Sequence, residues 1–380
     1  MNGYQNVIRG RDSLKKLPSI MDKIGIRRPL IVGTEPLTGT LMKKNPCLLT
    51  SPVFSGFHPN PDLSDTEQGA EIFRREACDG LISIGGGSSI DTAKAIKARL
   101  QSETEADIIS SRLTINREIR HIAIPGTAGT GSEATQIAVV YVNNRKVSLN
   151  HASLRPDGVV LDAALLDSLP AYHKKSCALD ALAQGIESYW SRSSNDDSKV
   201  HAFLAIIGVL DNLKDYLAGD PHAAEEMMDA SYQSGKAIQI TRTTAAHAMS
   251  YMLTKKLGLA HGHACMLTLP VLWEMMEEKD EMKETLNDLS ARMRLGDRRI
   301  VPKLLRGIMY DIEMTIPPIP DEGLLQELAE SVNTERLNNH PVPMNTEEIS
   351  EAYRRSMTPL CENEKLACLD IWRYYGRKEE

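Results

Sequence analysis

Four residues between positions 178 and 270 have the types and spacing of a metal shell. Asp180 and Gln184 stand four apart in ALDALAQGIES, so on a helix both side chains leave one face, one turn apart. His247, in TTAAHAMSY, and His261, in LAHGHACMLTLP, can each reach a common point from a different helix. One carboxylate, one amide and two imidazoles form a four-donor set for a divalent cation. The amide is the odd member, because Gln is a poor ligand for a transition metal. The other reading of Gln184 is a hydrogen-bond partner of a ligand.

Two glycine-rich segments suit a different ligand. Residues 82–94, ISIGGGSSIDTAK, read as strand, glycine turn and helix. Gly85, Gly86 and Gly87 let the backbone turn sharply and approach a ligand. The helix through Ser88 and Asp91 then turns its amide end toward an anion such as a nucleotide pyrophosphate. Residues 125–133, PGTAGTGSE, form a second such loop after a second strand, with Thr127, Thr130 and Ser132 in it. Two loops at the ends of two strands suggest one crevice approached from both sides. The bland alternatives are a steric glycine turn and a flexible connection.

The elements that position these residues differ between the two halves. In the first, apolar runs at 29–33, 80–84, 121–125 and 158–161 read as strands. They alternate with helical patterns such as 65–76 and 89–99, which argues for a parallel α/β sheet. After Leu169–Pro170 the 3.6-residue period takes over, at 175–190, 198–217, 223–241, 244–257, 266–278 and 322–330. Residues 317–320 and 338–343 read as loops. The expected organisation is an α/β dinucleotide-binding domain at 1–168 and an all-α domain at 169–380.

Composition excludes several classes. The net charge of -7 gives no basic footprint for nucleic acid. No apolar stretch approaches the roughly 20 residues that span a bilayer, and residues 1–13 lack a signal peptide's apolar core. The six cysteines include no CxxC pair, which fits a reduced, cytoplasmic protein.

In order, GGGSSIDTAK, IPGTAGTGSE, DALAQGIES, HAMSYMLT and AHGHACMLTLP resemble the iron-containing (group III) alcohol dehydrogenase family. That family's pattern runs GGGSxxDxAK, PTTAGTGSE, DALxHxxE, HAxAHxLG and PHGxAxxxxLP. The resemblance implies an N-terminal dinucleotide-binding α/β domain and a C-terminal helical domain, with substrate, metal and nicotinamide in the cleft between them. It implies NADH or NADPH as cofactor, a divalent metal (Fe2+ or Zn2+) and commonly a homodimer. Carried over, Gly85, Gly86, Gly87, Ser88, Asp91, Thr127, Thr130 and Ser132 fall around the nucleotide. Lys146 resembles a lysine near the nicotinamide and ribose. Thr34 falls where an acidic residue often selects NAD, although Glu35 is adjacent. Asp180, His247 and His261 occupy three of the four metal positions.

Two departures mark this chain. Gln184 replaces the usual second His ligand, which implies a weaker, different or absent metal, and Tyr251 replaces a His near the substrate. Gln184, TRTTAAHAMSY, HGHA and SVNTERLNNHPVPMNTEEI resemble a branch that reduces phosphonoacetaldehyde to 2-hydroxyethylphosphonate. An anionic head needs donors. Arg242, Thr243 and Thr244, at the start of the helix carrying His247, fit an anion clamp, with a Thr cap beside a surface Arg as the alternative. Without metal, His247, His261 or His263 can supply the proton, and Lys146 is a further electrophile. The alternatives are a generic short-chain alcohol or polyol dehydrogenase, a dehydroquinate-synthase-like lyase and a non-catalytic binding protein.

Overall fold

The computed structural model describes residues 5–58, 61–113, 119–142, 145–319, 321–333 and 337–375, without the side chains at 145 and 146. The chain forms two compact units, residues 1–169 with 218–235 and residues 170–217 with 236–380.

The strands of the first unit are β1 (Asn6–Arg9), β2 (Pro29–Gly33), β3 (Val53–Phe54), β4 (Gly80–Gly85), β5 (Arg120–Pro125), β6 (Ile137–Val142), β7 (Arg145–Asn150) and β8 (Gly158–Leu161). Six of them form a parallel sheet in the order β1-β8-β5-β4-β2-β3. Every residue of β2 and β4 is buried, so these strands read as continuous apolar runs rather than alternations. In β2, Ile31 packs with Ile20, Leu41 and Ile82, while Leu30 and Val32 pack with Phe73, Ala93 and Ile96 on the other face. β6 and β7 form an antiparallel pair against α1 (Gly87–Leu100).

The second unit is helical, as its period implies. α2 (Ala171–Trp190), α3 (Asp196–Leu217), α4 (Pro221–Thr241, whose first part lies in the first unit), α5 (Ala245–Leu257) and α6 (His261–Glu277) carry the candidate site. Every residue of α2 from 178 to 190 is buried, Asp180, Gln184 and Glu187 included. Buried polar groups of this kind require partners. Two helix starts differ from the expected ones. α4 ends where Arg242 turns left-handed, at φ 66°, so α5 begins only after Thr244. α6 begins at His261 rather than at 266. Among the described residues, no helix is long and apolar enough to cross a membrane.

Glu133 sits in a short turn after the second glycine loop and is 1% exposed. Its Oε1 has no partner among the described residues. Burial raises its carboxyl to about 7, against the opposing charge of Lys94. The folded protein therefore holds this proton more tightly than the unfolded chain. The associated stability is full below the ordinary Glu range and is lost as pH rises through about 7. Glu133→Gln removes that dependence. Melting temperatures between about pH 5 and about pH 8 should shift progressively in favour of the variant; a constant difference would contradict the protonated carboxyl.

Candidate functional site

On α2, Asp180, Gln184 and Glu187 lie at i, i+4 and i+7 and share one face. Glu187 is the organising group. Its Oε1 accepts the Thr244 hydroxyl at 2.7 Å, the Ala246 N–H at 2.8 Å and the His247 N–H at 3.4 Å. A carboxylate from α2 thus caps the first turn of α5, whose N-cap residue makes no side-chain cap bond of its own. Its Oε2 accepts the Nδ1 proton of His247. The other His247 nitrogen, Nε2, donates to Asp180 Oδ1 at 3.2 Å, so the ring lies between two carboxylates, and a cation at this point would take the place of the Nε2 proton.

His261 is oriented in the same way. Ser250 donates its hydroxyl to the His247 carbonyl at 2.8 Å, so its oxygen accepts from His261 Nδ1 at 3.2 Å. The Tyr251 ring stacks on His261, with centroids 6.0 Å apart and planes within 6°. His261 Nε2 then lies 4.0 Å from Asp180 Oδ1 and 3.9 Å from Cys265 Sγ. Gln184 hydrogen-bonds the Asp180 carboxylate. Gly262 lets α6 approach this closely, since a Cβ there would lie 2.0 Å from the Ser176 carbonyl and 2.7 Å from Asp180 Cβ.

Donor atoms of Asp180, His247, His261 and Cys265 all lie within 4.8 Å of one another. Bonds of about 2.0–2.3 Å in a tetrahedral shell place donors roughly 3.3–3.8 Å apart. The spacings of 3.2, 3.9 and 4.0 Å fall on either side of that range, so small side-chain shifts would close the four donors on one divalent cation. The cluster pairs opposite charges. Burial works against the charged form of Asp180, yet His247, His261 and Gln184 hold its carboxyl below the ordinary range. Burial also opposes charge on His247, but Cys265 and Glu187 hold it well above its ordinary value. Burial would raise the Cys265 thiol, but the two histidines bring it down to about 7. Sequence reasoning missed Glu187 and Cys265. The i+7 spacing of Glu187 was its available signal.

Other expected residues are placed differently. His263 is fully buried, accepts from the Tyr172 hydroxyl at Nδ1 (3.0 Å) and donates from Nε2 to the Thr315 carbonyl (2.9 Å). Burial lowers its pKa, so it sits neutral with both nitrogens engaged. The N-terminus of α5 and the Thr244 hydroxyl, expected in an anion clamp, are already engaged by Glu187; Trp190 Nε1 also donates to Thr244, at 3.0 Å. The physical reason is that a buried internal carboxylate takes the amides an outside anion would need. Arg242 and Thr243 remain as clamp candidates. The Lys146 side chain lies outside the described residues.

In the first unit the two glycine loops meet. Gly85 ends β4 at φ 141°, where Ser89 Oγ would stand 2.3 Å from any Cβ. The Gly126 N–H donates to the Gly85 carbonyl at 2.8 Å, and the side chains of Thr127 and Thr130 face Gly86 and Gly87. Lys94, wholly buried, ties the loops from below. Its Nζ donates to Ser132 O and Oγ, Thr135 Oγ1 and Ile137 O at 2.6–3.0 Å. Asp91 accepts from Ser132 Oγ (2.6 Å) and the Val139 N–H (2.9 Å). Asp91 and Ser132 thus brace the loops, while Gly86, Gly87, Thr127 and Thr130 form their facing surface. Thr34 is exposed at the end of β2, and Glu35 accepts from Thr38 Oγ1 (2.8 Å) and the Gly39 N–H (3.3 Å).

A parallel α/β unit with facing glycine loops, followed by a helical unit with a buried Asp–His–His cluster, defines a class of two-part nucleotide- and metal-binding proteins. Residues 5–163 match the iron-containing alcohol dehydrogenase family and residues 175–357 its C-terminal part. The chain belongs to the iron-containing alcohol dehydrogenase family. It is 36% identical over 226 residues to the phosphonoacetaldehyde reductase of Streptomyces viridochromogenes, covering 56% of this chain and 57% of that enzyme. It is 35% identical to the probable alcohol dehydrogenase EutG of Escherichia coli, covering 56% and 55%. The matched stretches thus span little more than half of these curated relatives. The crystal structure of sulfoacetaldehyde reductase from Bifidobacterium kashiwanohense in complex with NAD+ superposes with a TM-score of 0.86 at 25% identity, covering 93% of this chain and 97% of that one.

Glu187→Gln keeps an oxygen acceptor but removes the charge that orients His247. Metal affinity, measured by competition with a chelator, should fall about 10–100-fold. Unchanged affinity would show that the His247 orientation does not depend on this carboxylate.

Proposed function

We propose that the protein is a nicotinamide-dependent reductase of a small anionic aldehyde, with phosphonoacetaldehyde as the leading substrate. The observation that carries this is the convergence of His247 Nε2, His261 Nε2 and the Asp180 carboxylate on one point in a family of alcohol dehydrogenases. Reduction moves a hydride from the nicotinamide to the carbonyl carbon and a proton to its oxygen, converting aldehyde, NAD(P)H and H+ into alcohol and NAD(P)+. Asp180, His247 and His261 would hold a divalent cation, which would supply Lewis acidity at that oxygen. Glu187 and Ser250 hold the Nδ1 protons of the two rings and Asp180 stays ionised, so a bound cation would displace only the Nε2 protons. His261, 37% exposed against 5% for His247, is the edge at which a substrate oxygen reaches the cluster. In the same proposal Gly85–Ser88, Thr127 and Thr130 receive the pyrophosphate, Lys146 lies by the nicotinamide, and the protein works as a cytoplasmic homodimer.

The relatives favour an anionic substrate, since phosphonoacetaldehyde and sulfoacetaldehyde are both two-carbon aldehydes with a charged head. Arg242 supports it too. Its left-handed backbone is bracketed by Asn339 Nδ2, which donates to the Thr241 carbonyl at 2.7 Å and the Thr243 carbonyl at 3.0 Å. A strained residue held this firmly is a candidate for function.

Two measurements test the proposal. NAD(P)H oxidation is compared for phosphonoacetaldehyde, sulfoacetaldehyde and propanal. Arg242→Ala should raise KM for the anionic aldehydes at least about tenfold more than for propanal, the loss of a charge-assisted contact. Equal effects, or a preference for propanal, would defeat the anionic assignment. Thr34 is exposed and the Glu35 carboxylate is engaged by Thr38 Oγ1 and the Gly39 N–H, so NADPH should serve alongside NADH. Thr34→Asp should lower kcat/KM for NADPH about tenfold relative to NADH; an unchanged ratio would place cofactor choice elsewhere.

A further inference from the structure

The family pattern supplies its fourth metal donor from the position that holds Gln184 here. In this structure the Gln184 side chain hydrogen-bonds Asp180. The fourth donor atom that closes the cluster comes from a different helix. Cys265 stands four residues after His261, and α6 begins at His261, so the two side chains rise one above the other on the same helix face. Cys265 is wholly buried, forms no disulfide, and has its Sγ 3.9 Å from His261 Nε2. Gly262, between them, permits the contact with α2 that brings this face onto Asp180.

We propose that Cys265 is the fourth protein donor of the metal centre, as a thiolate, and that Gln184 is a positioning residue that orients Asp180. The inference rests on the metal reading in the proposed function. Binding converts the thiol to a thiolate, forming one metal–sulfur bond and releasing one proton to solvent. The donor set becomes Asp, His, His and Cys, and a substrate oxygen would enter as a fifth ligand. That set is softer than three imidazoles and a carboxylate, and it favours a borderline ion such as Zn2+ or Co2+. The lost His is thus replaced from another helix.

Cobalt(II) reports the ligand directly. The full-length protein is freed of metal, loaded with Co2+ and followed by absorption spectroscopy, with no turnover required. The expected spectrum has visible d–d bands together with a near-ultraviolet thiolate-to-cobalt charge-transfer band. Cys265→Ser, nearly isosteric, should lose the charge-transfer band and keep the d–d bands. Gln184→Ala and Cys177→Ser should both keep the charge-transfer band. Wild-type d–d bands without charge transfer, or a charge-transfer band that survives in Cys265→Ser, would overturn the Cys265 assignment and leave the metal centre standing. Failure of the wild-type protein to bind Co2+ at all would overturn both. A wild-type spectrum with d–d bands and no charge-transfer band overturns the assignment even if a variant fails to fold.

Discussion

The carboxylate of Glu187 is the group on which the helical unit's chemistry depends. It is wholly buried, and burial of an ionised carboxylate is unfavourable by several kcal/mol unless donors surround it. The structure surrounds it with a hydroxyl, two backbone amides and an imidazole. Those partners fix where α5 starts, since its first amides point at α2. They also fix the orientation of the His247 ring, and so which nitrogen faces Asp180. One interaction sets a helix boundary, a helix–helix contact and a ligand orientation together.

The second constraint is distance. Two imidazoles, a carboxylate and a thiol can meet only if α6 lies almost backbone to backbone with α2. Gly262 is where that approach is closest, and no side chain fits there. The glycine therefore works as a spacer for His261 and Cys265 on either side of it. The first unit solves the same problem in another way. Its glycine loops meet at Gly85 and Gly126, and Lys94 ties them from below with four hydrogen bonds. Burial lowers that ammonium to about 8, with Asp91 and Glu133 opposing the fall. Its net is structural: the loops can face a ligand because their backs are held.

Much of this was legible in the sequence, for physical reasons. Strands buried on both faces show as unbroken apolar runs, and long helices show a clear period, so the parallel sheet and the helical half could be read directly. The Asp180, His247 and His261 cluster was legible because types and spacing allowed it and the order of the family's motifs singled these residues out. Cys265 was not, because the expected helix began at 266. That boundary left His261 and Cys265 in a loop, where an i, i+4 relation means nothing. Helix starts depend on caps, and here the residue before the helix, Ala260, gives no side-chain signal. Glu187 was hidden differently: a Glu on a helix reads as a solvated face until burial is known. Asn339 was beyond reach, because its bonds to the 241 and 243 carbonyls join segments about a hundred residues apart.

Those Asn339 bonds hold the start of the segment that leads to His247. Residues 241–247 run from the end of α4, through the left-handed Arg242, to Thr244 on Glu187 and then to His247 on the cluster. Each step of this short segment is pinned from outside, by Asn339 at one end and Glu187 at the other. A flexible guanidinium on a mobile loop would accept anions at many distances from the donors. A guanidinium on a pinned segment accepts them over the narrower range its own side chain can span. Under the proposed function, an aldehyde whose charged head and carbonyl are separated by a single carbon falls within that range. Longer or uncharged aldehydes lose either the head contact or the reach to His261. Selectivity then follows from the backbone of 241–247 as much as from the charge of Arg242.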